Sequence, residues 1–141
     1  KQTKMTQWYN LKVRLLLAED LPNEDVTGDS DPYAIVCFGD LKSHQHKSDY
    51  YKDTNRPVWN ETFADTIANT ETLKVTVWDK DNLNSDDKLG ETVSIKFDAL
   101  EENKEVIEWY DLARKGKKQG RIRIGLEMTK GEAPPDASKR T

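Results

Sequence analysis

Two apolar runs in this chain alternate with period two, and each stops at a cluster of aspartates. Leu11, Val13, Leu15 and Leu17 interleave with Lys12, Arg14, Leu16 and Ala18, and the run ends at Asp20-Leu21-Pro22-Asn23. Leu73, Val75 and Val77 interleave with Lys74, Thr76 and Trp78 and lead directly into Asp79-Lys80-Asp81-Asn82. Period two is the signature of a half-buried strand, whose successive side chains point to opposite faces. The carboxylates of Asp25 and Asp31, and those of Asp79, Asp81 and Asp87, therefore fall on loops at strand ends. Two carboxylates about 4 Å apart repel by roughly 4 kcal/mol at an effective dielectric near 20, so a cation is expected between them.

Strand signals recur at about 9–18, 33–38, 43–51, 59–64, 72–79, 90–97 and 121–128, with turn chemistry between them. The segment from Tyr33 to Phe38 is apolar on both faces, as a core strand is. Ile122, Ile124, Leu126 and Met128 alternate with polar or small residues, which gives the last strand one wet face. Seven antiparallel strands in one chain of this length predict a β-sandwich. Residues 98–105 have the composition of one short helix capped by Asp98, and 129–141 read as a disordered tail or linker. The folded unit is expected over 8–128, with 1–7 as an N-terminal flank.

The 141 residues make one domain, and a charged fraction of 34% implies a small core under a polar exterior. A net charge of -4 and a pI near 5.3 give no global reason to expect nucleic acid as a partner. The single cysteine, Cys37, sits inside an apolar strand and is expected to be a buried, unreactive thiol in a reducing compartment. No apolar stretch approaches the roughly 18 residues of a membrane span, and the N-terminus has no signal-peptide core. A cytoplasmic protein whose membrane contact is peripheral is expected.

In an antiparallel succession, connections alternate between the two ends of a sandwich. The loops around 20–32, 53–58 and 79–89 then share one end, and those around 39–42, 65–71 and 98–120 share the other. Both acidic clusters meet at the first. Calcium takes six to eight oxygens with irregular geometry, whereas magnesium keeps its waters and zinc prefers His or Cys. An EF-hand does not fit. Counting from Asp79, the sixth position is Asn84 rather than glycine and the twelfth is Gly90 rather than glutamate.

Four stretches carry a family resemblance. They are Ala18-Glu19-Asp20-Leu21-Pro22, Gly28-Asp29-Ser30-Asp31-Pro32-Tyr33, Asn55-Arg56-Pro57-Val58-Trp59-Asn60-Glu61-Thr62-Phe63, and Val77-Trp78-Asp79-Lys80-Asp81 through Asp86-Asp87-Lys88-Leu89-Gly90-Glu91. Over roughly 8–128 the sequence resembles a C2 domain, the calcium and phospholipid module of protein kinase C, synaptotagmins and tandem-C2 proteins. The resemblance implies an all-β, eight-stranded antiparallel Greek-key sandwich, with the eighth strand drawn from the N-terminal segment or from the tail. It also implies that Asp25, Asp79 and Asp81 bridge two calcium ions, with Asp87 completing one shell and Asp31 the other. Backbone carbonyls near Glu24 and Lys80 would add oxygens, and Asn84 would assist a third, weaker ion. Asp29 and Asp86 fall outside the ligand pattern. The competing reading of the whole set is solvated turn residues and strand caps.

By the same resemblance, calcium reverses the charge of the acidic end so that it docks on anionic phospholipid, while Val26 and Leu83 at the loop tips enter the bilayer. Full burial of such a side chain is worth about 1.5 to 3 kcal/mol. The lysine run that marks phosphoinositide binding in the family is reduced here to Lys47, opposed by Asp49. His44 and His46 share one side of that strand and could bind a metal, although exposed strand histidines are usually inert. A denser basic patch, Arg114, Lys115, Lys117, Lys118, Arg121 and Arg123, is placed by the alternating topology at the end away from the acidic loops, where it is a solvated loop or meets a second membrane or an acidic partner. No nucleophile with a nearby base argues for an enzyme. The leading function is a calcium-dependent membrane-binding module within a larger parent protein, and the rival is a calcium-independent protein-interaction C2 domain.

Overall fold

The computed structural model describes residues 5–22, 30–97 and 99–140. Eight strands follow in order: β1 Trp8–Glu19, β2 Pro32–Phe38, β3 Gln45–Lys47, β4 Val58–Ala68, β5 Leu73–Asp79, β6 Asp87–Glu91, β7 Val106–Arg114 and β8 Lys117–Lys130. All pair antiparallel, in the spatial order β3-β2-β5-β6-β7-β8-β1-β4. β6 and β7 meet only at Glu91 and Ala113. The order thus folds at that seam into two four-stranded layers over one core. Ala34, Val36, Val75, Val77 and Leu89 come from one layer, and Leu11, Val13, Leu15, Trp59, Ile67, Ile122, Ile124 and Leu126 from the other.

The expected eighth strand comes from neither terminus. It is β7, inside the stretch expected to be a loop over 98–120. The helix expected at 98–105 is absent among the described residues, which form turns, while Asp98 lies outside them. Asn103 adopts a φ of +62°, outside helical space, and its amide donates to the Met128 carbonyl at 2.9 Å.

The alternation of β1 also breaks. A bulge between Leu15 and Leu17 shifts its register against both β4 and β8. The phase changes there, so Ala18 is buried while Leu17 is only half-buried. Cys37 belongs to the outward set of β2 with Ile35 and is half-buried rather than fully enclosed; burial nevertheless pushes its thiol pKa up.

Residues 129–140, in the segment expected as a disordered tail or linker, make contacts with the sandwich. Thr129 and Lys130 continue β8, and the side chain of Arg140 is 0% exposed. Arg140 Nη2 donates to the carbonyls of Thr66 (2.9 Å) and Phe38 (3.2 Å) and pairs with Glu71 Oε1 at 3.1 Å. These carbonyls lie where β2 and β4 run out, so the guanidinium satisfies backbone groups that no strand pairs.

Candidate functional site

The three acidic loops do share one end. Leu21 N donates to Asn55 O (3.2 Å), Thr54 N to Ser30 O (2.9 Å) and Lys80 N to Asp31 O (3.0 Å), which ties the loops to one another. The other end is closed by Gly39 N donating to Thr72 O at 3.1 Å.

Register sets the acidic row. Asp79 stands opposite Pro32 on one side and opposite Asp87 on the other. Residues facing each other across an antiparallel pair have Cα atoms about 4.5 to 5.5 Å apart, and like charges there are destabilising. Asp31, Asp79 and Asp87 thus form a row across the ends of β2, β5 and β6. Asp79 is 3% exposed, and its Oδ1 accepts the Asp31 amide at 2.8 Å. Asp31 Oδ1 accepts the Asp53 amide at 2.7 Å. Asp81 Oδ1 accepts the amides of Leu83 (2.9 Å) and Asn84 (3.2 Å). In Asp31 and Asp81 these bonds orient the carboxylate while leaving Oδ2 outside them.

Asp86 does a different job. Its Oδ2 accepts the hydroxyl of Tyr33 at 2.5 Å and its Oδ1 accepts the Asp81 amide at 2.8 Å. Burial works to raise its pKa, but the Tyr33 hydroxyl, the Asp81 amide and the nearby lysines hold it below the usual carboxylate value. The Tyr33 hydroxyl is pushed up, first by burial and then by the Asp86 charge.

Leu83 sits at the tip of the 80–86 loop, 91% exposed. Asn84 beside it is exposed, and the Lys80 ammonium lies 5.3 Å from the Tyr50 ring. Glu24, Asp25 and Val26 lie outside the described residues. Among the described residues no three His, Cys, Asp or Glu side chains are already gathered at metal-holding distance. Sequence reasoning missed Asp53, whose amide holds Asp31, and the exposed Tyr50 and Tyr51 on the same loop. The Tyr-Tyr-Lys-Asp run ahead of the Asn-Arg-Pro turn was their signal.

The histidines lie elsewhere. His44 belongs to a 3-10 turn rather than to a strand, and it does not pair with His46 around an open position. Both reach Asp65: His44 Nδ1 at 2.9 Å and His46 Nε2 at 2.8 Å. His44 Nε2 lies 2.6 Å from Asp136 Oδ2.

The basic patch is not at the far end. β7 adds one reversal that the alternation argument lacked, so the β7–β8 turn lies with the acidic loops. Glu19 at the end of β1 pairs in register with Arg121, and Arg121 Nε donates to Glu19 Oε1 at 2.7 Å. Arg121 and Arg123 flank the Trp109 ring, at 3.9 and 5.9 Å from its centroid.

This sandwich, with its acidic loops at one end, has the build of a C2 domain. The model of the C2 domain family matches residues 9–112, and the chain belongs to that family. It is 34% identical over 136 residues to multiple C2 domain and transmembrane region protein 9 of Arabidopsis thaliana, covering 90% of this chain but 13% of that protein. A single C2 domain of a plant extended synaptotagmin 1 superposes with a TM-score of 0.80 at 19% identity, covering 87% of this chain and 95% of that one. A tandem pair of C2 domains from extended synaptotagmin 2, solved with calcium bound, gives a TM-score of 0.72 at 27% identity, covering 86% of this chain and 45% of that one. The chain therefore spans a small part of the multidomain Arabidopsis relative. Among the described residues no helix is long and apolar enough to cross a membrane.

Proposed function

We propose that this C2 domain is a calcium-dependent module that docks on anionic phospholipid, serves a larger parent protein in the cytoplasm, and is not itself an enzyme. The observation that carries the reading is the carboxylate row Asp31, Asp79 and Asp87, beside an exposed Leu83 whose amide is held by Asp81. The donor set is all oxygen, as calcium requires, with no thiol or imidazole among the loop residues named. Asp25, Asp79 and Asp81 would bridge two ions, Asp31 and Asp87 would complete their shells, and the carbonyls of Glu24 and Lys80 would add oxygens. Asn84 would serve a third.

Bound calcium supplies positive charge and open coordination positions to lipid head groups. The protein's own part is to hold the carboxylates in a row that bare repulsion would otherwise spread. It also keeps Leu83 beside that row, where contact with lipid and loading of the site would occur together, and Val26 is the second side chain proposed to enter the bilayer. The relative solved with calcium bound is consistent with this reading.

Isothermal calcium titration with and without phosphatidylserine vesicles tests it. Vesicles should raise the apparent calcium affinity, because lipid and calcium must promote each other by the same factor. Asp79→Asn should nearly abolish calcium binding while leaving the fold intact. Calcium affinity unchanged in that variant would refute the site, and vesicle binding indifferent to calcium would favour the calcium-independent interaction module.

A further inference from the structure

We infer that the β7–β8 hairpin is a second contact with the anionic lipid surface, working beside the calcium loops and without calcium. The inference rests on the membrane-docking reading for its orientation and adds a binding surface that the carboxylate row does not include.

Position comes first. β8 runs alongside β1 until Arg121 meets Glu19, where β1 ends. At Gly120 the two chains are so close that a Cβ would lie 2.7 Å from the carbonyl oxygens of both Glu19 and Asp20. Lys117, Lys118 and Gln119 continue past that point, and at about 3.3 Å per residue they carry the hairpin roughly 10 Å beyond the end of β1. On the other side, Ala113 pairs with Glu91, so Arg114 and the turn run back along β6 toward Asp87.

The tip is stiff. Arg114 pairs with Lys117 across a two-residue turn in which Lys115 has φ +52° and Gly116 has φ +78°. Two consecutive positive φ values define the tight turn that matches strand twist, so the backbone positions from which its lysines project are set. Lys115 and Lys117 are exposed.

Charge then names the partner. An open cleft of about 490 Å³ separates the hairpin from β6, lined by Lys88, Glu91, Ala113, Arg114, Lys115 and Gly116. Its one carboxylate among these, Glu91, is already engaged by Lys88 at 2.7 Å and Lys74 at 3.1 Å. The hairpin's own Asp111 pairs with Lys118 at 3.3 Å. Lys115 and Lys117, both exposed, then make a basic edge across the cleft from Lys88, the chain neighbour of the proposed ligand Asp87. A flat anionic surface meeting the proposed calcium loops and Leu83 would meet this edge as well, and phosphate groups match its ammonium donors.

The test uses the whole chain and vesicles of equal parts phosphatidylserine and phosphatidylcholine, in chelator and in saturating calcium, at low salt. A basic residue near an anionic surface contributes about a five-fold gain in affinity. Lys115→Gln with Lys117→Gln should therefore weaken vesicle binding by roughly 25-fold in both conditions, leaving calcium affinity in solution unchanged. A parent that binds in chelator, loses this on substitution and gains nothing from calcium would support the hairpin contact and overturn the calcium reading. Equal vesicle affinity of parent and double variant would overturn the hairpin contact and leave the calcium site to its own titration. A loss on vesicles of phosphatidylcholine alone that matches the loss with phosphatidylserine would also overturn it, because charge would not be the cause.

Discussion

The hydroxyl of Tyr33 and the carboxylate of Asp86 meet at 2.5 Å, joining the root of β2 to the loop that follows β5. Because Asp86 also takes the Asp81 amide, and Asp81 takes the amides of Leu83 and Asn84, a relay of hydrogen bonds runs from a buried tyrosine to an exposed leucine. Tyr33 is anchored in the sheet, so the whole loop inherits its position. Asp86 is thus the post on which a proposed calcium ligand is aimed.

Tyr33→Phe should loosen that loop without touching any proposed ligand. The lost hydrogen bond should cost about 1 to 2 kcal/mol of stability, measured by urea unfolding. Calcium affinity should fall by a few-fold, since Asp81 must then be ordered at the moment of binding. Calcium affinity identical to the parent's would show that the relay has no part in aiming Asp81.

The ring of His44 lies between two carboxylates, Asp65 and Asp136, with the Arg140 guanidinium 3.4 Å from its Nε2, and Asp65 also serves His46. Burial works to lower its pKa, but the hydrogen bonds to Asp136 and Asp65 raise it above the ordinary 6.5. With the folded value above the unfolded one, charged His44 stabilises fully below pH 6.5, and this contribution is lost as pH rises through the raised value. Thermal stability should therefore decline from near neutral upward, and the protection of the amides at residues 136–140, taken relative to their intrinsic base-catalysed exchange rates, should fall over the same window. His44→Gln should flatten both trends, and an unchanged slope in that variant would assign the titration to another group.

Arg140 offers a sharper measure of the same docking. Its side chain is 0% exposed and that of Glu71 is 8% exposed, so removing the cation strands a buried carboxylate. Arg140→Met should destabilise the domain by about 3 kcal/mol in denaturant unfolding, while calcium binding at the opposite end stays as in the parent. Arg140→Lys should recover little, because an ammonium cannot reach Glu71 and two carbonyls in the same fork. A loss within experimental error for Arg140→Met would mean that the segment is held by Asp136 and His44 alone.

These contacts also mark where the sequence stopped being legible. Local alternation exposed β5, β8 and β1 as far as its bulge, a run apolar on both faces exposed β2, and antiparallel alternation of ends was enough to bring Asp31, Asp79 and Asp87 together. β7 was hidden because its alternation is interrupted: Val106, Tyr110 and Leu112 face inward, but Glu108 breaks that set and apolar residues stand on the other face. Glu108 stands in register with buried Ile124, while Ile107 and Trp109 are on the exposed face, Trp109 covered by Arg121 and Arg123. One missed strand reversed the end assigned to the basic hairpin. The bulge at Leu16 and the anchoring of Arg140 depend on partners distant in the chain, as in Arg140 with Thr66 and Phe38, and no local spacing encodes them.

Leu83 separates insertion from charge. It is exposed, yet its backbone is tied to Asp81, so filling the proposed calcium site and presenting the side chain to lipid would be one event. Leu83→Ala together with Val26→Ala should weaken calcium-dependent vesicle binding by roughly 1 to 3 kcal/mol. Calcium affinity in solution should not change, because the amide of residue 83 and every proposed ligand oxygen remain. The double variant should also be stripped from vesicles at lower salt than the parent, since only screened electrostatic contacts would be left to hold it. Equal vesicle affinity and equal salt resistance in the two proteins would place both tips in water and leave the attachment to head-group coordination and the basic hairpin.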